Sequence, residues 1–101
     1  MTKAEAVVLL REREPELRAL GIKRLSIFGS TARGEASAGS DIDLAATVDY
    51  EAVRRLGPFG FFGIEGKIAE LIGTKVDFVT EPHDEAPRLQ AEIDRDRVCV
   101  F

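Results

Sequence analysis

Between residues 41 and 48 the side chains sort by parity, one set wholly apolar and the other carrying every polar residue. Ile42, Leu44, Ala46 and Val48 fall on one parity, and Asp41, Asp43, Ala45 and Thr47 on the other. A period of two is the signature of a β-strand with two distinguishable faces. Asp is depleted in strands, so two at alternate positions ask for an explanation. On one face of a strand they stand about 7 Å apart, at roughly 3.3 Å rise per residue. Like charges that close raise each other's pKa and oppose folding unless something positive lies between them. A divalent metal ion is the usual answer, and Mg²⁺ binds a few carboxylate oxygens while leaving positions for phosphate oxygens and water. Two such ions clamp the attacking and leaving oxygens of a phosphoryl-type displacement. The plainer alternative is that Asp41 and Asp43 face solvent on an edge strand.

The rest of the chain supplies partners for that strand. Thr2 and Glu5 form a Thr-x-x-Glu capping box that starts a helix with Val7 to Leu10 on its apolar side. Pro15 suits the first turn of a second helix, read over Glu16 to Leu20 and stopped by Gly21. Ile22 to Phe28 is a strand. Strict alternation would put Ile22, Arg24, Ser26 and Phe28 on one face and Lys23, Leu25 and Ile27 on the other. Gly29-Ser30 ends it, Thr31 to Arg33 opens a helix, and Gly34 to Gly39 is a loop of small residues.

Tyr50 to Leu56 is helical in composition and stops at Gly57-Pro58. A further helix starts near Phe61 or Ile64 and ends at Gly73. Lys75 to Val79 is a third strand, with Asp77 as its lone acid. Pro87 to about Asp94 forms a last helix, and Val98 to Phe101 a closing strand or packed tail. The order α-β-α-β-α-β-α predicts an α/β domain with a mixed sheet. At 101 residues the prior is one domain over 1–101.

The charge balance narrows the function. Lys and Arg number 14 against 18 Asp and Glu, a net charge of -4. Duplex binders carry a basic face, and none is visible here, so no direct nucleic-acid binding is expected; the acidic balance suits a basic protein partner. Cys99 is the only cysteine, which excludes an internal disulfide and a cysteine zinc site and reads as a packed hydrophobe. No signal pattern or membrane-length apolar run is present, so the expectation is a cytoplasmic protein with no membrane contact. His83 lies in a Pro-flanked acidic loop and reads as exposed. Phe59, Phe61 and Phe62 read as core, or as the lining of a nucleotide or partner surface.

Gly29-Ser30 follows a strand and precedes a helix start, where backbone N–H groups and the Ser30 hydroxyl can meet a phosphate. A turn with an N-cap serine is the plainer reading. Asp77 by itself reads as a partner of Lys75 or an edge-strand charge. The conjunction is more specific. Phe28-Gly29-Ser30-Thr31-Ala32-Arg33-Gly34 precedes Ser40-Asp41-Ile42-Asp43-Leu44, giving Gly-Ser, ten residues, then Asp-x-Asp.

This resembles the signature of the DNA polymerase β-like nucleotidyltransferases. More narrowly it resembles the minimal nucleotidyltransferases paired with HEPN proteins in toxin–antitoxin systems. The Gly-Ser-x-Ala-Arg-Gly and Ser-Asp-x-Asp-Leu forms both match, as do chain length, the leading helix and the Lys75 to Val79 strand. The resemblance is weakest after Thr80. It implies a polymerase β-like core, a small mixed sheet flanked by helices. It also implies nucleotide-binding Gly29 and Ser30, Mg²⁺ (two ions) on Asp41, Asp43 and Asp77, and Asp77 helping to deprotonate the acceptor hydroxyl. Arg33 reaches a phosphate, reaches the partner, or pairs with Glu35. The implied activity is transfer of AMP from ATP to a tyrosine of a HEPN ribonuclease toxin, making the chain an antitoxin. Two rivals stand beside it: a non-catalytic antitoxin that masks the toxin by binding, and a nucleotidyltransferase acting on a small molecule such as an antibiotic.

Overall fold

The computed structural model describes every residue except 1, 36–40, 58–59 and 83–84, and of residues 61 and 62 the backbone alone. The expected readings of His83 and of Phe59, Phe61 and Phe62 as side chains therefore lie outside the described residues, as does most of the loop after Gly34. The elements run α1 (Lys3–Glu12), α2 (Glu14–Ala19), β1 (Ile22–Phe28), α3 (Gly29–Ala32), β2 (Ile42–Val48), α4 (Tyr50–Arg55), α5 (Gly60–Ile72), β3 (Val76–Thr80), α6 (Pro87–Asp96) and β4 (Val98–Cys99).

Local chemistry sets most of these boundaries. The Thr2 side chain accepts from the Glu5 amide at 3.2 Å, which starts α1 as the capping box requires. Asp49 caps α4 in the same way by accepting from the Glu51 amide at 3.0 Å. Pro15 stands in the first turn of α2 and Pro87 in that of α6, where a missing N–H costs nothing. The α6 helix runs two residues beyond the expected Asp94, and α5 begins at Gly60, ahead of the first residue read as helical.

The sheet has the order β3-β2-β1-β4. β1 is antiparallel to both β2 and β4, whereas β2 and β3 are parallel. A parallel pair cannot be joined by a hairpin, and α4 and α5 provide the crossover. The apolar parity of β2 (Ile42, Leu44 and Ala46, each at most 1% exposed) packs with Leu25, Ile27 and Val76. Ala6 and Leu10 of α1, Leu17 of α2, and Ile64, Ile68 and Ile72 of α5 close over that face. On the opposite face Phe28, Ala45 and Ile93 form a second, smaller cluster with Val79 and Leu89 against it. Of the described helices, α6 supplies Leu89 and Ile93 to that cover.

Two readings are corrected. The register shifts between Ile22 and Arg24, so Ile22 pairs with Val48 and Arg24 with Thr47. The extra residue of a β-bulge reverses the alternation, and Ile22 turns into the main core with Leu25 rather than sharing a face with Ser26 and Phe28. Cys99 is exposed, not a packed hydrophobe. It pairs with Ser26 in the ladder, while Val100 beyond it is the residue that enters the core. The C-terminus is tied down as well: Arg11 Nε donates to the Val100 carbonyl at 2.9 Å, and the Arg18 guanidinium lies 4.8 Å from the centre of the Phe101 ring.

Candidate active site

The carboxylates expected from the strands come together by register. Phe28 pairs with Asp43 across β1 and β2, and Asp43 pairs with Asp77 across β2 and β3. In a parallel pair, register partners place their side chains on the same face of the sheet. Asp43 and Asp77 therefore stand side by side, within hydrogen-bonding reach of each other. Asp41 lies just before β2, close enough for its charge to act on Asp43. Lys75 Nζ approaches Asp41 Oδ2 at 3.8 Å, so the lysine read as a possible partner of Asp77 turns to Asp41 instead. Both groups of that pair are open to solvent, and a pair of this kind contributes on the order of 0–1 kcal/mol.

Asp43 is half-buried, and burial pushes its pKa above the ordinary carboxylate value. The charges of Asp77 and Asp41 push in the same direction, and Arg33 pulls weakly against them. The carboxylates thus meet with little positive charge between them, which is the electrostatic condition of a cation site.

Gly29 shows how tightly this corner is built. Its φ is 71°, in the left-handed region that favours glycine. A Cβ on Gly29 would lie 2.2 Å from Asp43 Oδ2 and 3.1 Å from its Cγ. The Asp43 carboxylate thus lies against the Cα of Gly29, where no other residue leaves room. α3 follows at once, a single turn from Gly29 to Ala32, with Ser30 half-buried in it.

An open cleft of about 550 Å³ lies over this corner. Gly29, Ser30, Arg33, Asp43 and Asp77 line it together with Glu92 and Arg95 of α6. Arg33 Nε donates to Glu35 Oε2 at 3.0 Å and its Nη1 to Asp96 Oδ2 at 2.7 Å. The pairing with Glu35 considered from the sequence is present, but Asp96 is a second partner that the sequence reading missed. Arg95 Nε and Nη2 donate to the same carboxylate at 3.0 and 3.2 Å. Glu92, Arg95 and Asp96 were not anticipated. Once Leu89 and Ile93 are taken as the buried stripe of α6, positions 92, 95 and 96 fall on neighbouring turns beside it, which is the signal that could have found them.

The residues fit a cation and a nucleotide on these grounds: paired carboxylates short of positive charge, a glycine that lets them approach the loop, and a cleft large enough for phosphates. Among the described residues no three carboxylates stand ready as a closed metal cluster. Asp43 and Asp77 form the convergent pair, and Asp41 is drawn toward Lys75.

The family pattern described as "Polymerase beta, Nucleotidyltransferase" matches residues 15–101 of the chain. This chain belongs to the polymerase β nucleotidyltransferase family. The match spans β1 through β4 and so includes the carboxylate corner, α3 and α6. The protein adenylyltransferase MntA of Thermococcus cleftensis is 35% identical over 80 residues, 78% of this chain and 77% of that protein. The solved structure of a "putative minimal nucleotidyltransferase" superposes with a TM-score of 0.72 at 31% identity, covering 97% of this chain and 95% of that one. The fold also recurs, at 21% identity and a TM-score of 0.60, in a toxin–antitoxin complex crystallised with AMP-PNP, covering 100% of this chain and 73% of that one. Among the described residues of this nucleotidyltransferase, no helix is long and apolar enough to cross a membrane.

Proposed function

We propose that this nucleotidyltransferase moves AMP from ATP to a tyrosine hydroxyl of a HEPN-type ribonuclease toxin and so acts as its antitoxin in the cytoplasm. The observation that carries the reading is the Asp43–Asp77 pair, set against Gly29 at the floor of a cleft that Ser30, Arg33 and Arg95 also line. A relative named as a protein adenylyltransferase supports the transferred group and a protein acceptor. The toxin–antitoxin complex of the same fold supports the kind of partner.

In this reading Gly29 and Ser30 hold the triphosphate, and Asp41, Asp43 and Asp77 would hold Mg²⁺, two ions being the expected number. Bound Mg²⁺ would offset the charge that develops on the attacking and leaving oxygens. Asp77 is the exposed member of the pair, so it is the carboxylate that an incoming hydroxyl meets. It helps take the proton as the tyrosine oxygen bonds to the α-phosphorus. The bond from that phosphorus to the β-phosphate oxygen breaks, and pyrophosphate leaves. Half-buried Asp43, packed against Gly29, is the member of the pair that the loop holds in place.

The test is intact-mass spectrometry of a co-expressed HEPN partner with ATP and Mg²⁺. The expected result is one or more added AMP units on tyrosine, with loss of ribonuclease activity. Inhibition without added mass, equally strong with Asp43→Asn, would replace catalysis by masking. Nucleotidylation of a small hydroxylated compound in place of the protein would point to the small-molecule reading.

A further inference from the structure

Asp96 is the end residue of α6, and its side chain is only 5% exposed. A carboxylate that far out of water needs partners. It has two guanidiniums: Arg95 binds both of its oxygens and Arg33 binds one. The two arginines come from different elements, Arg33 from the end of α3 and Arg95 from α6, and meet at Asp96. Both line the cleft that holds Asp43 and Asp77, whereas Asp96 does not reach its surface.

Neither guanidinium is used up. Asp96 occupies Nε and Nη2 of Arg95, and beyond the charge of nearby Glu92 no other side chain is hydrogen-bonded to it among the described residues, so its Nη1 makes no hydrogen bond. Arg33 spends Nε on Glu35 and Nη1 on Asp96, which leaves Nη2. The Glu35 side chain is 64% exposed, so its pair with Arg33 contributes little and yields readily to a stronger anion. Two guanidiniums aimed into one cleft by a shared, buried carboxylate make a preorganised fork for phosphate oxygens.

We propose that Asp96 is a positioning residue that sets Arg33 and Arg95 as a clamp on the β- and γ-phosphates of the nucleotide, the part that departs as pyrophosphate. The inference rests on the nucleotidyl-transfer reading above, and it assigns to α6 and Arg95 a role in triphosphate recognition. The clamp distinguishes a triphosphate from a monophosphate, because AMP lacks the groups it grips.

The test is calorimetric binding of ATP and of AMP, each with Mg²⁺, to the wild-type chain and to Arg95→Gln, Asp96→Asn and Asp96→Glu. The Arg95 side chain is 64% exposed, so Arg95→Gln leaves the fold standing even if the buried Asp96 variants do not. Losing one charge-assisted contact should weaken ATP binding about tenfold and leave AMP binding within twofold. Asp96→Asn should do the same, and Asp96→Glu should recover part of the loss, a rescue that a purely structural role would not track with phosphate number. Arg95→Gln binding ATP as tightly as wild type, or losing ATP and AMP affinity equally, overturns the clamp while leaving the transfer reading intact. Wild-type protein that binds no ATP overturns both.

Discussion

Replacing Gly29 by alanine tests the architecture of the site at a single atom. The added Cβ meets Asp43 Oδ2 at 2.2 Å, closer than any van der Waals contact allows, and the backbone there has φ 71°. Two costs follow. Holding a non-glycine residue in the left-handed region costs roughly 1–2 kcal/mol. In addition the Asp43 carboxylate must swing off the loop by about 1 Å to reach ordinary contact distance, and a misplacement of that size costs about 10²-fold in rate.

Gly73→Ala separates the two costs. Gly73 has nearly the same φ, 73°, but a Cβ there meets nothing within 4 Å, and it lies beyond the far end of α5. Both variants should therefore lose about 4–16 °C in Tm, at about 4–8 °C per kcal/mol for a domain this small. Only Gly29→Ala should lose about 10²-fold in AMP transfer, followed by intact-mass kinetics on the acceptor protein. If the two variants keep equal activity, the close approach of Asp43 to Gly29 has no catalytic meaning.

Other perturbations follow from the same geometry. Asp43→Asn should abolish transfer yet leave the metal-free protein as stable as wild type or more so, because burial and the neighbouring acids oppose its charge; parallel activity and melting measurements check both halves. The folded pKa of Asp43 is raised, so the native state holds its proton more tightly than the unfolded chain. In metal-free protein its contribution is fully favourable below the ordinary carboxylate value and is lost as pH rises through the raised one. The wild-type disadvantage against Asp43→Asn should accordingly grow over that window in thermal melts. Glu81 behaves in the opposite sense, since its hydrogen bonds from Arg97 hold it below the ordinary value. Its contribution is present above that value and fades as pH falls through the lowered one. Glu81→Gln should cost about 2–3 kcal/mol in urea unfolding at neutral pH, as the side chain is 9% exposed and Arg97 loses its main partner.

Much of the corner was legible because strand parity is a strong signal. Once Asp43 and Asp77 were placed on the polar parity of two strands, they needed only a matching register to meet, and the β2–β3 ladder supplies it. Gly29-Ser30 was legible for a similar reason, standing where a strand gives way to a turn. What could not be read depended on partners distant in sequence. The bulge at Ile22 answers to Val48 and Thr47, not to its neighbours, and a one-residue slip reverses every side chain before it. Cys99 looked apolar in the company of Val98 and Val100, yet it stands on β4, an edge strand of the sheet, and is exposed. Arg95 and Asp96 gave only helix periodicity. Their meaning lies in Arg33, 63 positions away from Asp96, and no local pattern reports that contact.

The cost of the carboxylate corner is met within the strand that carries it. Fully burying an aliphatic side chain contributes about 1.5–3 kcal/mol. On β2 the residues flanking Asp43, Ile42 and Leu44, are 1% and 0% exposed, and both belong to the main core. A partly buried carboxylate without a compensating charge costs on the order of 1–3 kcal/mol. Its two neighbours in sequence therefore outweigh it, and they do so on the opposite face, so neither constrains what the carboxylate faces. Alternation thus lets one short strand hold the fold on one side while the other side keeps a charge that stability alone would remove. On that argument Asp43→Leu should stabilise the metal-free chain further than Asp43→Asn, because it adds apolar contact with the nearby Phe28 cluster and removes the polar group altogether. The comparison is a pair of urea titrations. A leucine variant less stable than the asparagine one would mean that Asp43 makes favourable contacts in the apo state, and that the corner is not held at a cost to the fold.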